Sequence, residues 1–121
     1  MTLNELLTTV RDEKPNSFTT EKLVSFVNEL EHDVAEQLRV YEVPQYTTDD
    51  LDESLLVPAP HDDIYVPYLK AKMDWANEEL LSYQNNQAQF EQNFANFINW
   101  IVTTGQVEDK RTPRRFKGVW R

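Results

Sequence analysis

Hydrophobic and polar positions divide this chain most clearly between Val57 and Val102. The stretch opens Val57-Pro58-Ala59-Pro60-His61-Asp62-Asp63, where prolines break regular structure and two aspartates sit at the start of a helix. From Ile64 onward there is no glycine and one proline, Pro67, up to Val102. Apolar residues recur at Tyr65, Leu69, Met73, Ala76, Leu80 and Tyr83, then at Phe90, Phe94, Phe97 and Ile101, with Ile98 and Trp100 widening the stripe. Steps of three and four mark one face of a helix, not the alternation of a strand. The heptad phase passes Gln87 without a slip, so one continuous helix is allowed, but it would be about 58 Å long, too long for a compact domain of this size. The polar interval Tyr83-Gln84-Asn85-Asn86-Gln87 favours two antiparallel helices joined there over that single helix, either asparagine serving as a cap.

Upstream, two shorter helices are expected. Thr2 caps the first, Glu5 completes a capping box, and Leu3, Leu6, Leu7 and Val10 form its face. Lys14-Pro15-Asn16-Ser17 ends it. Thr19 caps the second, with Glu21 in its first turn and Phe18 placed to pack on Leu23. Leu23, Val27, Leu30, Val34 and Leu38 form the buried face, with Phe26 beside it; Glu29, Glu31, Asp33 and Glu36 form the expected solvated face. Residues 40–60 carry no firm element beyond a short extended piece at Val40-Tyr41-Glu42-Val43-Pro44. A loop of that length inside a compact domain is either a functional excursion or a plain surface connection.

The pattern predicts an all-α protein: a small antiparallel bundle of about four helices over residues 1–104, a long loop at 40–60, and an extended basic tail at 105–121. Its composition predicts disorder in that tail. At 121 residues the chain is one domain with room for a core, and the absence of cysteine excludes disulfides and thiolate metal sites. No signal peptide or membrane span is visible, so synthesis in a cytoplasm is expected.

Charge changes the picture. Residues 1–109 hold all 21 acidic side chains against 6 basic ones, a net −15, whereas residues 110–121 carry six cations and no acid. The body repels nucleic acid, and the tail seeks an acidic partner. Within the tail, Phe116, Val119 and Trp120 lie among arginines, as in contact anchors. Pairing with nucleic acid, docking on a protein and a dangling terminus are all open to it.

Candidate chemistry is thin. Glu29-Leu30-Glu31-His32 contains a Glu-x-x-His step, but a di-iron site needs that step twice, and His61 has no glutamate three residues before it. His32 reads more simply as a surface residue. Asp49-Asp50-Leu51-Asp52-Glu53 lacks the glycine of a calcium loop, and Asp62 and Asp63 read as a helix start. No phosphate-cradling glycine loop and no nucleophilic triad are present. Neither an enzyme, a metal nor a cofactor is expected.

Two stretches carry a resemblance. Ser25-Phe26-Val27-Asn28-Glu29-Leu30-Glu31-His32-Asp33-Val34-Ala35-Glu36 is the first. The second is Leu55-Leu56-Val57-Pro58-Ala59-Pro60-His61-Asp62-Asp63-Ile64-Tyr65, followed by Tyr68-Leu69, Asn77-Glu78-Glu79, Tyr83-Gln84-Asn85-Asn86 and Phe90 to Trp100. Together they resemble the small head–tail connector (adaptor) proteins of tailed phages and prophages of Gram-positive bacteria, over most of residues 2–104. Pro67 departs from the family pattern, at little cost in a first turn, and the tail matches no fixed motif.

The resemblance implies a structural virion protein at the head–tail interface, about twelve copies in a ring under the portal protein. Such a ring extends the DNA channel and docks a tail-side stopper or tail completion protein, and the acidic body lets DNA pass without specific binding. On that reading helices two to four form the bundle, with Leu23, Val27, Leu30, Leu69, Met73, Phe94, Phe97 and Ile101 in its core. Arg114, Arg115, Phe116 and Trp120 anchor the tail to the portal, and Tyr46, Asp50, Leu51 and Leu55 of the loop contact a neighbouring subunit or the next ring. From another class comes the alternative of a small acidic phage-encoded regulator that mimics DNA charge and occupies a host nucleic-acid-binding protein.

Overall fold

The computed structural model describes residues 1–39 and 42–104. Four α-helices follow in order: α1 (Leu3–Glu13), α2 (Thr20–Leu38), α3 (Tyr65–Ala76) and α4 (Leu80–Thr104), with a 3-10 turn at His61–Ile64 leading into α3. The all-α class is as expected. The tail anchors Arg114, Arg115, Phe116 and Trp120, and the expected extended residues Val40 and Tyr41, lie outside the described residues.

Local chemistry sets the helix starts. The Thr2 hydroxyl accepts from the Glu5 N–H at 3.2 Å while the Glu5 carboxylate accepts from the Thr2 N–H at 2.8 Å, a complete capping box. Thr19 accepts from the Lys22 N–H at 3.1 Å to open α2. Phe18 packs edge-on against Phe26, 6.3 Å between ring centres, which fixes the chain's entry into that helix.

The α3–α4 hairpin turns at Asn77–Glu79, not at Tyr83–Gln87. Here the Glu79 N–H reaches back to the Asp74 carbonyl at 2.9 Å and the Glu78 N–H to the Trp75 carbonyl at 3.2 Å, with Glu78 in the left-handed region at φ 60°. That pairing closes a helix C-terminus by consuming its last carbonyls. Tyr83 to Gln87 continue as helix because their polar side chains face water or the Asp74 cluster, and polarity alone does not stop a helix.

The core draws on all four helices. Leu3, Leu6, Leu7 and Val10 of α1 pack in one cluster with Leu23, Val27, Leu30 and Val34 of α2, Tyr65, Leu69 and Met73 of α3, and Phe97 and Ile101 of α4. So α1 belongs to the bundle, in keeping with the expected four helices; only the narrower assignment of the core to helices two to four leaves it out. Phe94 is half-buried at its edge. Residues 42–60 contain no strand, only an isolated bridge between Thr2 and Ser54. They cover the start of α1 instead: the Leu3 and Asn4 N–H groups donate to the Glu53 and Leu51 carbonyls at 3.0 and 2.9 Å. A helix leaves its first N–H groups without partners, and this loop supplies them.

Candidate functional site

Two polar clusters and one exposed groove stand out, and the clusters explain the groove's position. The first cluster surrounds Glu31, whose side chain is fully buried. Its carboxylate accepts from the Tyr65 hydroxyl at 2.6 Å, the Tyr46 hydroxyl at 2.8 Å and the Leu56 N–H at 3.0 Å, while the Tyr65 oxygen accepts from the Val57 N–H at 3.1 Å. Burial pushes the Glu31 carboxyl above its usual range, partly offset by these donors. Burial, with the adjacent carboxylate, also raises both tyrosines far above their ordinary value.

One turn earlier on α2, the Asn28 side-chain amide pairs with both backbone groups of Tyr46, at 2.9 and 3.0 Å, as a neighbouring strand would. The loop is thereby pinned to α2 and α3.

Glu31 was expected on the solvated face of α2. The correction has a geometric cause: Val24, Val27, Glu31 and Ala35 share a second stripe, and α2 is covered on that side by the loop and Tyr65. Spacing was the available signal, since Glu31 interrupts an otherwise apolar three-four repeat.

The loop residues given an outward role divide in the same way. Tyr46 and Leu55 are 8% and 7% exposed and belong to the core of their own chain, so their side chains have little surface to offer a neighbour. Asp50 accepts from the Thr47 N–H and hydroxyl at 2.8 and 3.0 Å, tying off its own turn. Leu51 is half-buried against the core, and its carbonyl serves α1.

The second cluster lies under the α3–α4 turn. Asp74 is fully covered and accepts from Ser82 at 2.8 Å and Asn86 at 2.7 Å, with the Lys14 ammonium 2.8 Å from its other oxygen. Lys14 also reaches Glu79 at 2.9 Å. Burial works to raise the Asp74 carboxyl, but Lys14, Asn86 and Ser82 together outweigh it and hold the group below its usual range. The Lys14 ammonium is raised by its bonds to Asp74 and Glu79. One cation thus joins the end of α1 to α3 and to the hairpin turn.

Above this anchor the hairpin exposes its apolar residues. Trp75 is 66% exposed, Leu80 62% and Leu81 73%, in a region where the sequence stripe had placed Leu80 on the buried face. The early turn is the reason: after Met73 the stripe has no facing helix to cover it. Trp75 packs on Tyr83 at 5.2 Å, and a groove of about 530 Å³ is lined by Asp74, Trp75, Ala76, Glu78, Glu79, Leu80 and Tyr83. A smaller hollow of about 310 Å³ continues past Trp75 towards Tyr68, Lys72 and Gln87. Exposed rings beside the Glu78 and Glu79 carboxylates suit a basic, aromatic peptide segment.

His32 is exposed, and the His61 ring lies 4.9 Å from the Trp100 ring. Among the described residues no group of three or more His, Cys, Asp or Glu side chains is arranged to hold a metal ion. Among them, too, no helix is long and apolar enough to cross a membrane. No family model, curated protein or solved structure matches this chain.

Proposed function

We propose that this protein is a structural head–tail connector of a tailed phage: a helical adaptor whose copies close into a ring under the portal, extend the DNA channel and dock the next tail-side protein. The observation that carries the reading is where its two motif stretches meet. Glu31, from the first stretch, bonds the Leu56 N–H and the Tyr65 hydroxyl of the second, and Tyr65 holds Val57. Glu31 of the first stretch and Tyr65 and Val57 of the second thus form one buried unit, which supports treating the two stretches as a single motif.

The charge of the body fits a channel wall as well, since like charge keeps phosphate from sticking. In this role the helices are the building block, and the hairpin groove is a surface for neighbours.

The test is electron microscopy of phage particles made without the protein. Filled heads that lose their DNA and carry no tails are expected; normal tailed particles would refute the reading. Affinity capture from host lysate tests the acidic-mimic alternative, which gains if a host DNA-binding protein is the principal catch.

A further inference from the structure

Among the described residues, three of the four large apolar side chains left exposed are Trp75, Leu80 and Leu81, at one hairpin. Trp75 and Leu80 line a groove whose exposed carboxylates are Glu78 and Glu79, Asp74 beneath them being covered, and the nearby cation Lys14 is already shared between Asp74 and Glu79. An occupant must therefore bring aromatic surface flanked by positive charge. This chain contains such a segment in Lys110–Arg121, where Arg114, Arg115 and Lys117 bracket Phe116, and Arg121 follows Trp120.

Reach favours a second copy as the one that supplies it. Along α4, Leu80 and Thr104 are about 36 Å apart at helical rise. Phe116 lies twelve residues past Thr104, a span of about 40–43 Å only when fully stretched. Bringing Phe116 together with Trp120 into a chain's own groove would stretch residues 105–116 nearly taut along α4, although Trp120 alone, sixteen residues past Thr104, would reach it with about 17–22 Å to spare. A second copy meets no such limit.

We propose that the segment Lys110–Arg121 of one copy docks in the Trp75–Leu80–Tyr83 groove of another. Donor and acceptor surfaces differ, so the contact runs head to tail, and each copy offers one of each. Such contacts close into rings or continue as filaments. The inference goes beyond the connector reading and does not depend on it. It also gives the tail a different acceptor from the portal: the neighbouring subunit.

The test is sedimentation and light scattering of the full chain, with two variants: Trp75→Ala in the groove, and Phe116→Ala with Trp120→Ala in the tail. Trp75 is exposed, so its removal spares the core, and circular dichroism checks the fold of each variant. The native chain should associate with rising concentration, less so in high salt as screening weakens the rim contacts. Either variant should need at least about tenfold more protein to associate, as for loss of an aromatic anchor.

Mixing the two variants is the decisive arm. One intact groove and one intact tail remain, so a one-to-one pair should form although neither variant associates alone. A native chain that stays monomeric, variants that assemble like the native protein, or a mixture that fails to pair would each overturn the proposal. Pairing in a protein shown absent from virions would sink the connector reading and leave this inference standing.

Discussion

Replacing Tyr65 by phenylalanine removes one oxygen and almost no volume, so it isolates the polar network from packing. Two contacts disappear: the 2.6 Å bond to Glu31 and the 3.1 Å bond from the Val57 N–H. A hydrogen bond to a buried carboxylate contributes about 1.5–3 kcal/mol, and an orphaned buried N–H costs about 1–3 kcal/mol. Allowing for partial relaxation, Tyr65→Phe should destabilise the protein by about 3–4 kcal/mol, a fall in Tm of about 10–15 °C for a domain of this size.

Tyr46→Phe provides the internal control. It leaves the Leu56 N–H on the same carboxylate oxygen, so its cost should be about 1–2 kcal/mol. Urea unfolding at neutral pH, followed by circular dichroism, measures both. The sign of the pH effect follows from Glu31. Its carboxyl is raised above 4.5 in the folded state, so the stability this group contributes is full below that value and is lost as pH rises through the folded pKa. Loss of the Tyr65 donor raises it further, so the deficit of Tyr65→Phe should narrow on acidification. Equal costs for the two variants, or a deficit that widens in acid, would refute the network as the fastening of the loop.

Three further outcomes are expected. Lys14→Met strands the buried Asp74 carboxylate and should cost about 2–4 kcal/mol at neutral pH. Because Asp74 is held below 3.8, the stability it contributes is present above that value and drains as pH falls through its folded pKa, so native and variant melting curves should converge in acid. Glu78→Gly relieves a left-handed backbone at the hairpin and should raise stability by about 0.5–1 kcal/mol in thermal unfolding; a loss would refute the strain. Asn28→Ala removes both amide bonds to Tyr46, at about 2 kcal/mol, and should speed hydrogen exchange at the Tyr46 N–H by at least about tenfold, while exchange in α4 stays unchanged.

The helix starts were legible because they depend on near neighbours. Thr2, Glu5 and Thr19 announce their caps within three residues, and the faces of α1 and α2 follow from spacing. The hairpin was legible as an event but not as a place. Its turn depends on Glu78 accepting a left-handed conformation that its residue type does not advertise, and on Lys14, distant in sequence, reaching Asp74. Glu31 and Asp74 were missed for a common reason. Each is an acid on a helix, which reads as solvated until the partners that bury it arrive from elsewhere in the chain. Trp75 falls off the apolar stripe of α3, and only the turn at Asn77–Glu79 shows that it has no cover.

The way residues 51–55 complete the start of α1 carries a consequence for synthesis. Leu3 and Asn4 donate to carbonyls some fifty positions later, and Val10 shares a core with Phe97. A ribosome adding about 5–20 residues per second exposes α1 and α2 for several seconds before their cover exists. Through that interval the nascent chain displays Leu3, Leu6, Leu23 and Leu30 without cover. Yield in the cell should therefore follow chaperone supply more closely than the stability of the finished fold.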